Sequence, residues 1–452
     1  MREFDLTIIG AGPGGYETAL AAAGSMRVAL VEKDELGGTC LNRGCIPTKS
    51  LLHTADLMRA IRGSRLFGIE AGEPVCDIPK MHERKDQVIA KLRDGIALRM
   101  KQKKVTVLKG KGTILDPRTV RIRGDEEEII KTERILIATG SRPAMPPIPG
   151  ILSPHVETSD TLLDKTDGLY RRLIIIGGGV IGAEFASVFA ALGSEVTIVE
   201  ALPRLLPNMD REISQSLKML FVKRGIKVMC GTKVLDIREE GEGLRCLCAE
   251  GDKEALLRAD GILVAVGRVP FTSGLFEEGF TVDIDRGRIV VDERYRTGCP
   301  GIWAIGDVTG GVMLAHAATA QGKCALSDML GKAPNVQMIV PACVYTDPEI
   351  AAVGLTQVEA REKGLQADSR KYPMSANGKS LLSEQERGFI KVVYEKDSRR
   401  LLGAHLMCAR ASDLISEMTQ ALTRQATLDD LRRVIRPHPT FSEGITEAVT
   451  AD

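Results

Sequence analysis

One arrangement of parts occurs twice in this chain of 452 residues. The first copy is DLTIIGAGPGGYETALAAAGSMRVALVEK, from Asp5, and the second is RLIIIGGGVIGAEFASVFAALGSEVTIVEA, from Arg172. Each copy has an apolar run rich in β-branched residues, then GxGxxG, a run of small residues, and a second apolar run that ends in Glu. This order is typical of a strand, turn, helix and strand that bind a dinucleotide, so the repeat predicts two parallel α/β units.

The glycines and the acids of the two units carry the chemical prediction. The first glycine allows a tight turn, the second lets a pyrophosphate approach the backbone, and the third lets helix and strand pack closely. The final acid, Glu32 or Glu200, can accept hydrogen bonds from an adenosine ribose. We therefore expect electrons to pass between two bound dinucleotides. The glycines are Gly10, Gly12 and Gly15 in the first unit, and Gly177, Gly179 and Gly182 in the second.

Glu200 also predicts which pyridine nucleotide the second unit takes. A carboxylate would repel the 2′-phosphate of NADP, so NAD is expected there, although the nearby Arg204 weakens this inference slightly. Asp307 follows a further apolar run, at the end of a predicted strand, and is expected to contact a ligand, with a helix N-cap as the alternative. Three such runs end in glycine or just after it and are expected to open onto a ligand: 134–141, 261–268 and 301–308.

The segment GGTCLNRGCIPTKSLL, residues 37–52, holds two cysteines five positions apart, Cys40 and Cys45. In a regular helix their Cα atoms would be roughly 8–9 Å apart, whereas a disulfide needs less than about 7 Å. Gly44 can relax the backbone between them, and Pro47 suits the first turn of a helix that starts near it. The segment is expected to let a bridge close and reopen. The alternatives are a metal half-site or two structural thiols.

Composition and charge argue against several classes of protein. A net charge of +1 gives no electrostatic case for binding nucleic acid or an acidic membrane. The start MREFDLTIIG has no secretory pattern, and the most apolar stretch contains Glu184 and a glycine cluster, so a soluble cytoplasmic protein without a membrane span is expected. Ten cysteines then suggest mostly unpaired thiols. Cys246 and Cys248 alternate in a strand pattern with no second ligand pair nearby, so no metal site is expected.

Beyond about residue 335 the sequence alternates strand-like and helical patterns without a nucleotide motif, which indicates a separate α+β domain. Along the whole chain, a series of motifs occurs in the order GAGPGGY, GGTCLNRGCIPTK, ATGS, GGGVIGAEFA, AVGRVP, WAIGD, MLAHAA, VYTDPE and HPTFSE. With these motifs the chain resembles the flavin-dependent pyridine nucleotide–disulfide oxidoreductases, and within that family the dihydrolipoamide dehydrogenases. The thiol segment and HPTFSE are specific to the family, whereas the glycine motifs also occur in other flavoproteins.

The resemblance implies an α/β fold with two Rossmann-like domains, one for FAD and one for NAD, and a C-terminal α+β dimerisation domain. It places FAD on the first repeated unit, with Glu32 at the adenosine ribose and Asp307 against the ribityl chain and flavin. NAD would lie on the second unit, with Glu184 near the nicotinamide and Glu200 at its ribose. The implied limits are 1–145 with 271–335 for the FAD domain, 146–270 for the NAD domain and 336–452 for the dimerisation domain.

The resemblance also implies the roles of the reactive residues. Cys45 would be the thiol beside the flavin, Cys40 the thiol that exchanges with substrate, and His438, oriented by Glu443, the acid–base. Lys49 would lie beside the flavin ring and pair with Glu184. Standing alone, His438 could be an ordinary loop histidine and Lys49 a surface lysine. The residues expected to bind the cofactors are Gly10, Gly12, Gly14, Gly15, Glu32, Lys33, Gly38, Thr39, Cys40, Lys49, Gly112, Thr139, Gly140, Ser141, Asp307, Met313, Leu314, Ala315, His316, Gly177, Gly179, Val180, Ile181, Gly182, Glu184, Glu200, Val234 and Gly267.

The implied activity is NAD-dependent oxidation of dihydrolipoyl groups by a homodimer whose His438 completes the partner's site. A lipoyl-bearing carrier protein or domain would supply the substrate. Alternatives are another NAD(P)H-dependent disulfide reductase of the family and a non-catalytic subunit that only holds FAD. The chain departs from many lipoamide dehydrogenases at Ala317 and Gln321, where a Lys and a Glu are common. It also lacks a cysteine pair at its C-terminal end, which argues against a mercuric reductase.

Overall fold

The computed structural model describes residues 1–450 of the chain. The first repeated unit lies in a five-stranded sheet in which every neighbouring pair is parallel. All four residues of its central strand, Leu6–Ile9, are buried, as expected for a parallel sheet covered on both faces. The strands, in order across the sheet, are Ile302–Ala304, Ile135–Ile137, Leu6–Ile9, Val28–Glu32 and Thr106–Lys109.

Helix Pro13–Ala22 follows the first GxGxxG turn and packs against helix Ala315–Met329, which follows the edge strand of the same sheet. The two helices approach closely at Gly322. A Cβ atom built there would lie only 2.0 Å from the Thr18 hydroxyl oxygen. Any larger residue at this position would push the helices apart.

The second repeated unit lies in another five-stranded parallel sheet. Its helix, Val180–Leu192, packs against helix Cys45–Gly63 from the first part of the chain. Helices Ser159–Asp164 and Arg211–Lys223 belong to the same region. The strands, in order across the sheet, are Val156–Thr158, Gly261–Val264, Arg172–Ile176, Glu195–Glu200 and Lys227–Cys230. The apolar runs at 134–141, 261–268 and 301–308 thus each supply a strand, as predicted.

Smaller elements accompany the two parallel sheets. Helices Gly38–Arg43 and Ile78–Gln102 pack with helix Cys45–Gly63, which continues into a 3-10 turn at Ser64–Phe67. A second 3-10 turn, Gly306–Thr309, follows the edge strand of the first sheet. A four-stranded sheet contains Glu3–Phe4, Glu127–Thr132, Thr119–Arg123 and Lys111–Asp116. A three-stranded antiparallel sheet contains Lys233–Glu240, Gly243–Glu250 and Lys253–Ala259, and a short hairpin pairs Ile284–Asp285 with Arg288–Ile289.

The C-terminal part forms one five-stranded antiparallel sheet with helices on it, which agrees with the predicted α+β domain. The strands, in order, are Ala342–Val344, Ile350–Gly354, Leu401–Met407, Phe389–Glu395 and Ala367–Pro373. The helical elements are Gln357–Glu362, Met374–Ala376 (3-10), Gly378–Leu382, Ala411–Thr423, Leu428–Arg432 and Glu443–Thr450. Within residues 1–450, none of the helices combines the length and the apolar character needed to cross a membrane.

A pair of strands and a buried ion pair are among the contacts that join the three regions. The chain crosses between the parallel sheets twice, and the two crossings pair as antiparallel strands, Ser141–Pro143 with Arg268–Pro270. The C-terminal sheet reaches the second parallel region through Lys391, whose buried ammonium lies 2.9 Å from Asp210 and 2.8 Å from Glu212. These contacts fix the orientation of the regions around the space between them.

Candidate active site

A single cavity of about 1770 Å³ lies between the carboxyl ends of the two parallel sheets. Residues from both repeated units, the thiol segment and the start of the C-terminal sheet line it. Of the residues expected from the sequence, all line this cavity except Gly15, Gly182, His438 and Glu443. A ligand pocket usually measures roughly 300–1,000 Å³, so the cavity has room for more than one ligand.

The glycines of the first unit have the geometry that the sequence predicts. Gly10 has a φ of +105°, and a Cβ atom there would lie 2.2 Å from the Ala138 carbonyl oxygen. A Cβ at Gly15 would lie 1.9 Å from the Gly10 carbonyl oxygen, so this glycine packs the helix onto the strand and does not face the cavity. At Gly12, the N-cap of helix Pro13–Ala22, no protein atom lies within 4 Å of a built Cβ.

The second unit repeats this geometry. Gly177 has a φ of +108°, with a built Cβ 2.4 Å from the Ala265 carbonyl oxygen. A Cβ at Gly182 would lie 2.0 Å from the Gly177 carbonyl oxygen, and Gly179 faces open space. Each unit therefore has one open backbone position at a helix N-terminus, where the helix dipole favours a phosphate. These two cradles fit the pyrophosphates of two dinucleotides, FAD and NAD.

The acids Glu32 and Glu200 are held alike by backbone N–H groups. Glu32 accepts hydrogen bonds from Ala11 at 2.7 Å and Asp34 at 2.9 Å. Glu200 accepts from Gly178 and Leu202, both at 2.6 Å. Two fixed donors orient each carboxylate at the cavity wall, beside the glycine turn of its own unit.

Asp307 lies in the 3-10 turn Gly306–Thr309 and lines the cavity. One of its carboxylate oxygens, Oδ2, accepts a hydrogen bond of 2.5 Å from the Ser141 hydroxyl. The neighbouring Gly306 N–H donates to the Gln321 side-chain oxygen at 2.7 Å, so the amide at this position serves as a hydrogen-bond acceptor for the turn. Asp307 is therefore a cavity-lining carboxylate that is held by the side chain of Ser141, from a distant part of the chain.

The two cysteines of the thiol segment lie on two helices separated by one glycine. Cys40 belongs to helix Gly38–Arg43, and Cys45 is the first residue of helix Cys45–Gly63. Gly44, with φ −145° and ψ −110°, interrupts the helix between them. The expected relaxation at Gly44 is thus present. The helix starts near Pro47, as expected, but its first residue is Cys45. Pro47 is tolerated within the first turn, because backbone N–H groups have no partners there.

The two thiols of the pair differ in pKa. A hydrogen bond from the Cys40 thiol and the charge of Lys49, partly opposed by burial, lower the pKa of Cys45 from 9.0 to about 7. The same hydrogen bond and burial raise the pKa of Cys40. The N-terminus of helix Cys45–Gly63 adds a positive dipole end beside Cys45. Cys45 is therefore the thiol that is more easily ionised.

Glu184 connects three parts of the structure beside these thiols. Its buried carboxylate accepts from the Lys49 ammonium at 2.6 Å and from the backbone N–H of Tyr345 at 3.0 Å. The Lys49 ammonium also lies 4.5 Å from the centre of the Tyr345 ring. Burial raises the pKa of Tyr345 to about 12. The predicted Lys49–Glu184 pair is thus present.

His438 and Glu443 form a pair, but on the outside of the chain. His438 Nδ1 lies 2.8 Å from Glu443 Oε1, and 78% of the His438 side chain is exposed. The Thr440 N–H bonds the other Glu443 oxygen at 2.8 Å, and this bond together with His438 lowers the pKa of Glu443. Neither residue lines the cavity. Within one subunit, the histidine and the two thiols are not brought together.

Several cavity residues were not predicted from the sequence. Tyr345 is one; Arg268 and Phe271 are two more, and the Phe271 ring lies 4.0 Å from the Lys33 ammonium. Tyr345 lies in VYTDPE, Arg268 lies in AVGRVP and Phe271 directly follows it, yet only the pairing of distant segments brings these residues to the cavity. Within residues 1–450, no three His, Cys, Asp or Glu side chains are grouped so that they could hold a metal ion. Cys246 and Cys248 are buried, with their sulfurs 3.6 Å apart.

Comparison with protein families now adds to this geometry. The family model described as pyridine nucleotide-disulphide oxidoreductase matches residues 4–322, and the dimerisation domain of the same family matches residues 340–449. The chain belongs to the pyridine nucleotide-disulphide oxidoreductases. The predicted family, the α/β fold with a C-terminal dimerisation domain, and the cofactors FAD and NAD are thereby confirmed. The dimerisation domain supports the predicted homodimer.

Individual members of the family match the chain from end to end. A dihydrolipoyl dehydrogenase of Thermus scotoductus is 41% identical, over 100% of this chain and 98% of that protein. One from Chlamydia pneumoniae is 40% identical, over 98% of this chain and 95% of that protein. Among solved structures, a mutant of the HOCl-induced flavoprotein disulfide reductase RclA of Escherichia coli, as a Cu(II) complex, is 31% identical, with a TM-score of 0.91 and 100% of both chains covered.

The two kinds of glycine in the first unit should respond differently to alanine. Gly12→Ala is expected to leave the thermal unfolding midpoint of the FAD-free protein unchanged, since φ is −68° and the built Cβ meets no protein atom. It should weaken FAD binding about 10- to 100-fold, because an intruding methyl group costs about 1–3 kcal/mol. Gly15→Ala, the matched variant, should lower the unfolding midpoint itself. FAD titration and thermal unfolding measure both, and normal FAD affinity in Gly12→Ala would contradict the cradle.

Ionisation of Cys45 should depend on a hydrogen-bond donor at position 40. In the reduced protein, the rate of alkylation of Cys45 by iodoacetamide should rise with pH around a midpoint of about 7. Cys40→Ala removes the donor and should move the midpoint upward, since the thiolate loses its stabilising bond. Cys40→Ser keeps an O–H donor and should keep the midpoint low. Mass spectrometry of the Cys45 peptide gives these rates, and an unshifted midpoint in Cys40→Ala would refute this cause.

Proposed function

We propose that this oxidoreductase is a dihydrolipoyl dehydrogenase, which oxidises dihydrolipoyl groups to lipoyl groups with NAD⁺. The observation that carries the proposal is the Cys40–Cys45 pair at a helix N-terminus, in one cavity with two dinucleotide cradles. The full-length relatives that bear the name dihydrolipoyl dehydrogenase support the same substrate. We assign the cofactor-binding residues predicted above to FAD on the first unit and NAD on the second.

The protein groups account for the thiol chemistry. With the pair oxidised, His438 of one subunit takes a proton from a substrate thiol, and the resulting thiolate attacks the sulfur of Cys40. The Cys40–Cys45 bond breaks, and Cys45 leaves as a thiolate with the electron pair of that bond. The second substrate thiol loses its proton to solvent and attacks the substrate sulfur of the mixed disulfide. Cys40 leaves with the electron pair of that bond and takes up the proton held by His438, so the lipoyl disulfide is released and both cysteines are reduced. Bound FAD supplies the remaining chemistry, the transfer of these two electrons to NAD⁺ as a hydride.

The electrostatics around the pair suit this division of work. A good leaving thiolate needs a low pKa. In the reduced pair the Cys40 thiol lowers the pKa of Cys45 by a hydrogen bond, and the charge of Lys49 and the helix N-terminus still favour the Cys45 thiolate when Cys40 is bonded to substrate. Cys40, whose pKa is raised, lies on the separate helix Gly38–Arg43. Glu184 fixes Lys49 beside the thiols, so that a positive charge stays at the reacting centre. Glu443 holds the Nδ1 side of His438, which leaves Nε2 to act on a substrate proton.

The exposure of His438 supports a site shared between two subunits. In a dimer with twofold symmetry, each subunit can contribute the same residue to the site of its partner. The dimerisation domain carries His438, and this residue lies outside the cavity of its own chain. We therefore assign it to the thiol pair of the partner subunit.

The proposal includes the partner, the compartment and the domain limits. A lipoyl-bearing carrier protein or domain would bring the substrate. A cytoplasmic location is supported by the eight cysteines outside the redox pair, which are unpaired and suit a reducing compartment. We propose domain limits of 1–145 with 271–335, 146–270 and 336–452, and the paired crossings near residues 141–143 and 268–270 support the first two.

Substrate choice tests the proposed function directly. Steady-state assays should show oxidation of dihydrolipoamide with NAD⁺ at a far higher kcat/KM than reduction of glutathione disulfide or mercuric ion with NADH. NADP⁺ should be used poorly, because the fixed Glu200 carboxylate would face the 2′-phosphate. Cys40→Ser is the control, since it removes the exchanging thiol and should abolish turnover. Preference for either competing substrate would overturn the proposal.

A complementation experiment tests the assignment of His438. His438→Ala should slow dihydrolipoamide oxidation by roughly 10²–10⁴-fold, the usual effect of losing a general acid–base. When Cys40→Ser and His438→Ala subunits are unfolded and refolded together, one site of each mixed dimer should combine intact Cys40 with intact His438. Activity should therefore return. An inactive mixture, with mixed dimers demonstrated by mass, would show that His438 acts within its own chain.

A further inference from the structure

We propose that Arg268 is a positioning residue for Asp307, acting through the hydroxyl of Ser141. Arg268 is the last residue of the run 261–268, in the region assigned to NAD, whereas Asp307 belongs to the FAD unit. The inference rests on the proposed function only in taking Asp307 as a residue that holds FAD. Arg268 would then link the Asp307 carboxylate, on the FAD unit, to the region that is assigned to NAD.

The contacts of Arg268 converge on one residue. Its Nε donates to Ser141 Oγ at 2.8 Å, and its Nη2 donates to the Ser141 carbonyl oxygen at 3.0 Å. Only 15% of the Arg268 side chain is exposed, and its Nη1 lies 3.6 Å from the carboxylate of Asp160. Two donors of one planar guanidinium thus bond both the side chain and the backbone of Ser141. The Asp160 carboxylate is the counter-charge of this guanidinium.

The two hydrogen bonds from Arg268 determine where the Ser141 hydroxyl donates its hydrogen. A hydroxyl has one donor hydrogen and two acceptor lone pairs. Because the Arg268 N–H uses an acceptor position of Ser141, the hydroxyl hydrogen remains for the Asp307 oxygen 2.5 Å away. The bond occupies Oδ2, and within residues 1–450 no protein donor bonds the second oxygen, Oδ1, of this cavity-lining carboxylate. Oδ1 is therefore available to a hydroxyl of the ligand.

The backbone at this place keeps the relay aligned. Arg268 and Ser141 lie on the two paired crossings between the parallel sheets, Arg268–Pro270 and Ser141–Pro143. Further bonds join the same crossings, from Ala144 N–H to the Gly267 carbonyl at 3.0 Å and from Phe271 N–H to the Gly140 carbonyl at 2.9 Å. The paired backbone of the two crossings therefore holds Arg268 and Ser141 in register with each other.

FAD affinity of the reconstituted protein is the decisive measurement. Fluorescence titration should show about 10- to 100-fold weaker FAD binding for Arg268→Met, the usual effect of losing a hydrogen bond to a charged group. Ser141→Ala should show a similar loss. Because Arg268 acts through Ser141, the double variant should bind FAD about as well as either single variant, whereas independent effects would multiply. Wild-type FAD affinity in Arg268→Met, or multiplying losses in the double variant, would overturn the inference.

Three further variants separate the possible explanations. Arg268→Lys keeps the charge facing Asp160 but lacks the planar pair of donors, so it should keep the unfolding midpoint and still weaken FAD binding. If Arg268→Met does not fold, this variant decides the question, and normal FAD affinity in Arg268→Lys would overturn the inference. Arg258→Met, at an exposed ion pair with Glu240, is the control and should bind FAD normally. Asp307→Asn tests the assignment of Asp307 as a residue that holds FAD. If this variant binds FAD normally, that assignment fails, whatever the Arg268 variants show.

Discussion

The buried carboxylate of Glu184 is the interaction on which the arrangement of the three regions depends. It is 3% exposed, and its two oxygens are bonded by Lys49 from the thiol helix and by the Tyr345 backbone from the C-terminal sheet. A buried carboxylate that loses its partners is strongly destabilising, by about 3–5 kcal/mol for a broken buried pair. The regions therefore cannot separate here without exposing or stranding a charge. The contact that holds them together also places a cation beside the thiols.

Much of this site follows from the sequence because its chemistry is local. The glycine turns, with the terminal acids Glu32 and Glu200, are each complete within about 30 residues, so one unit defines its own geometry. The thiol segment is equally local, and Gly44 explains why its two cysteines escape helical spacing. Even there, the sequence did not fix the start of the helix, since Pro47 is compatible with more than one position in the first turn.

The contacts that could not be predicted from the sequence join residues that are far apart along the chain. Arg268 and Ser141 are 127 residues apart, and their contact exists only because the chain crosses between the sheets twice. Tyr345 contributes its backbone N–H to Glu184, a role to which its side-chain type gives no guide. His438 is the extreme case, since it lies outside the cavity of its own chain. Under the proposed function it acts on the thiols of a second subunit, and a sequence motif cannot give that placement.

The close contact at Gly322 bears on how long the first dinucleotide unit retains its ligand. Helix Pro13–Ala22 is packed against helix Ala315–Met329 of its own sheet, so opening the first cradle from that side requires local unfolding within one domain. Helix Val180–Leu192 packs instead against helix Cys45–Gly63 from another region, and the buried Glu184–Lys49 pair lies between these two helices. The first cradle is thereby closed by a helix of its own sheet, which suits it to a resident prosthetic group.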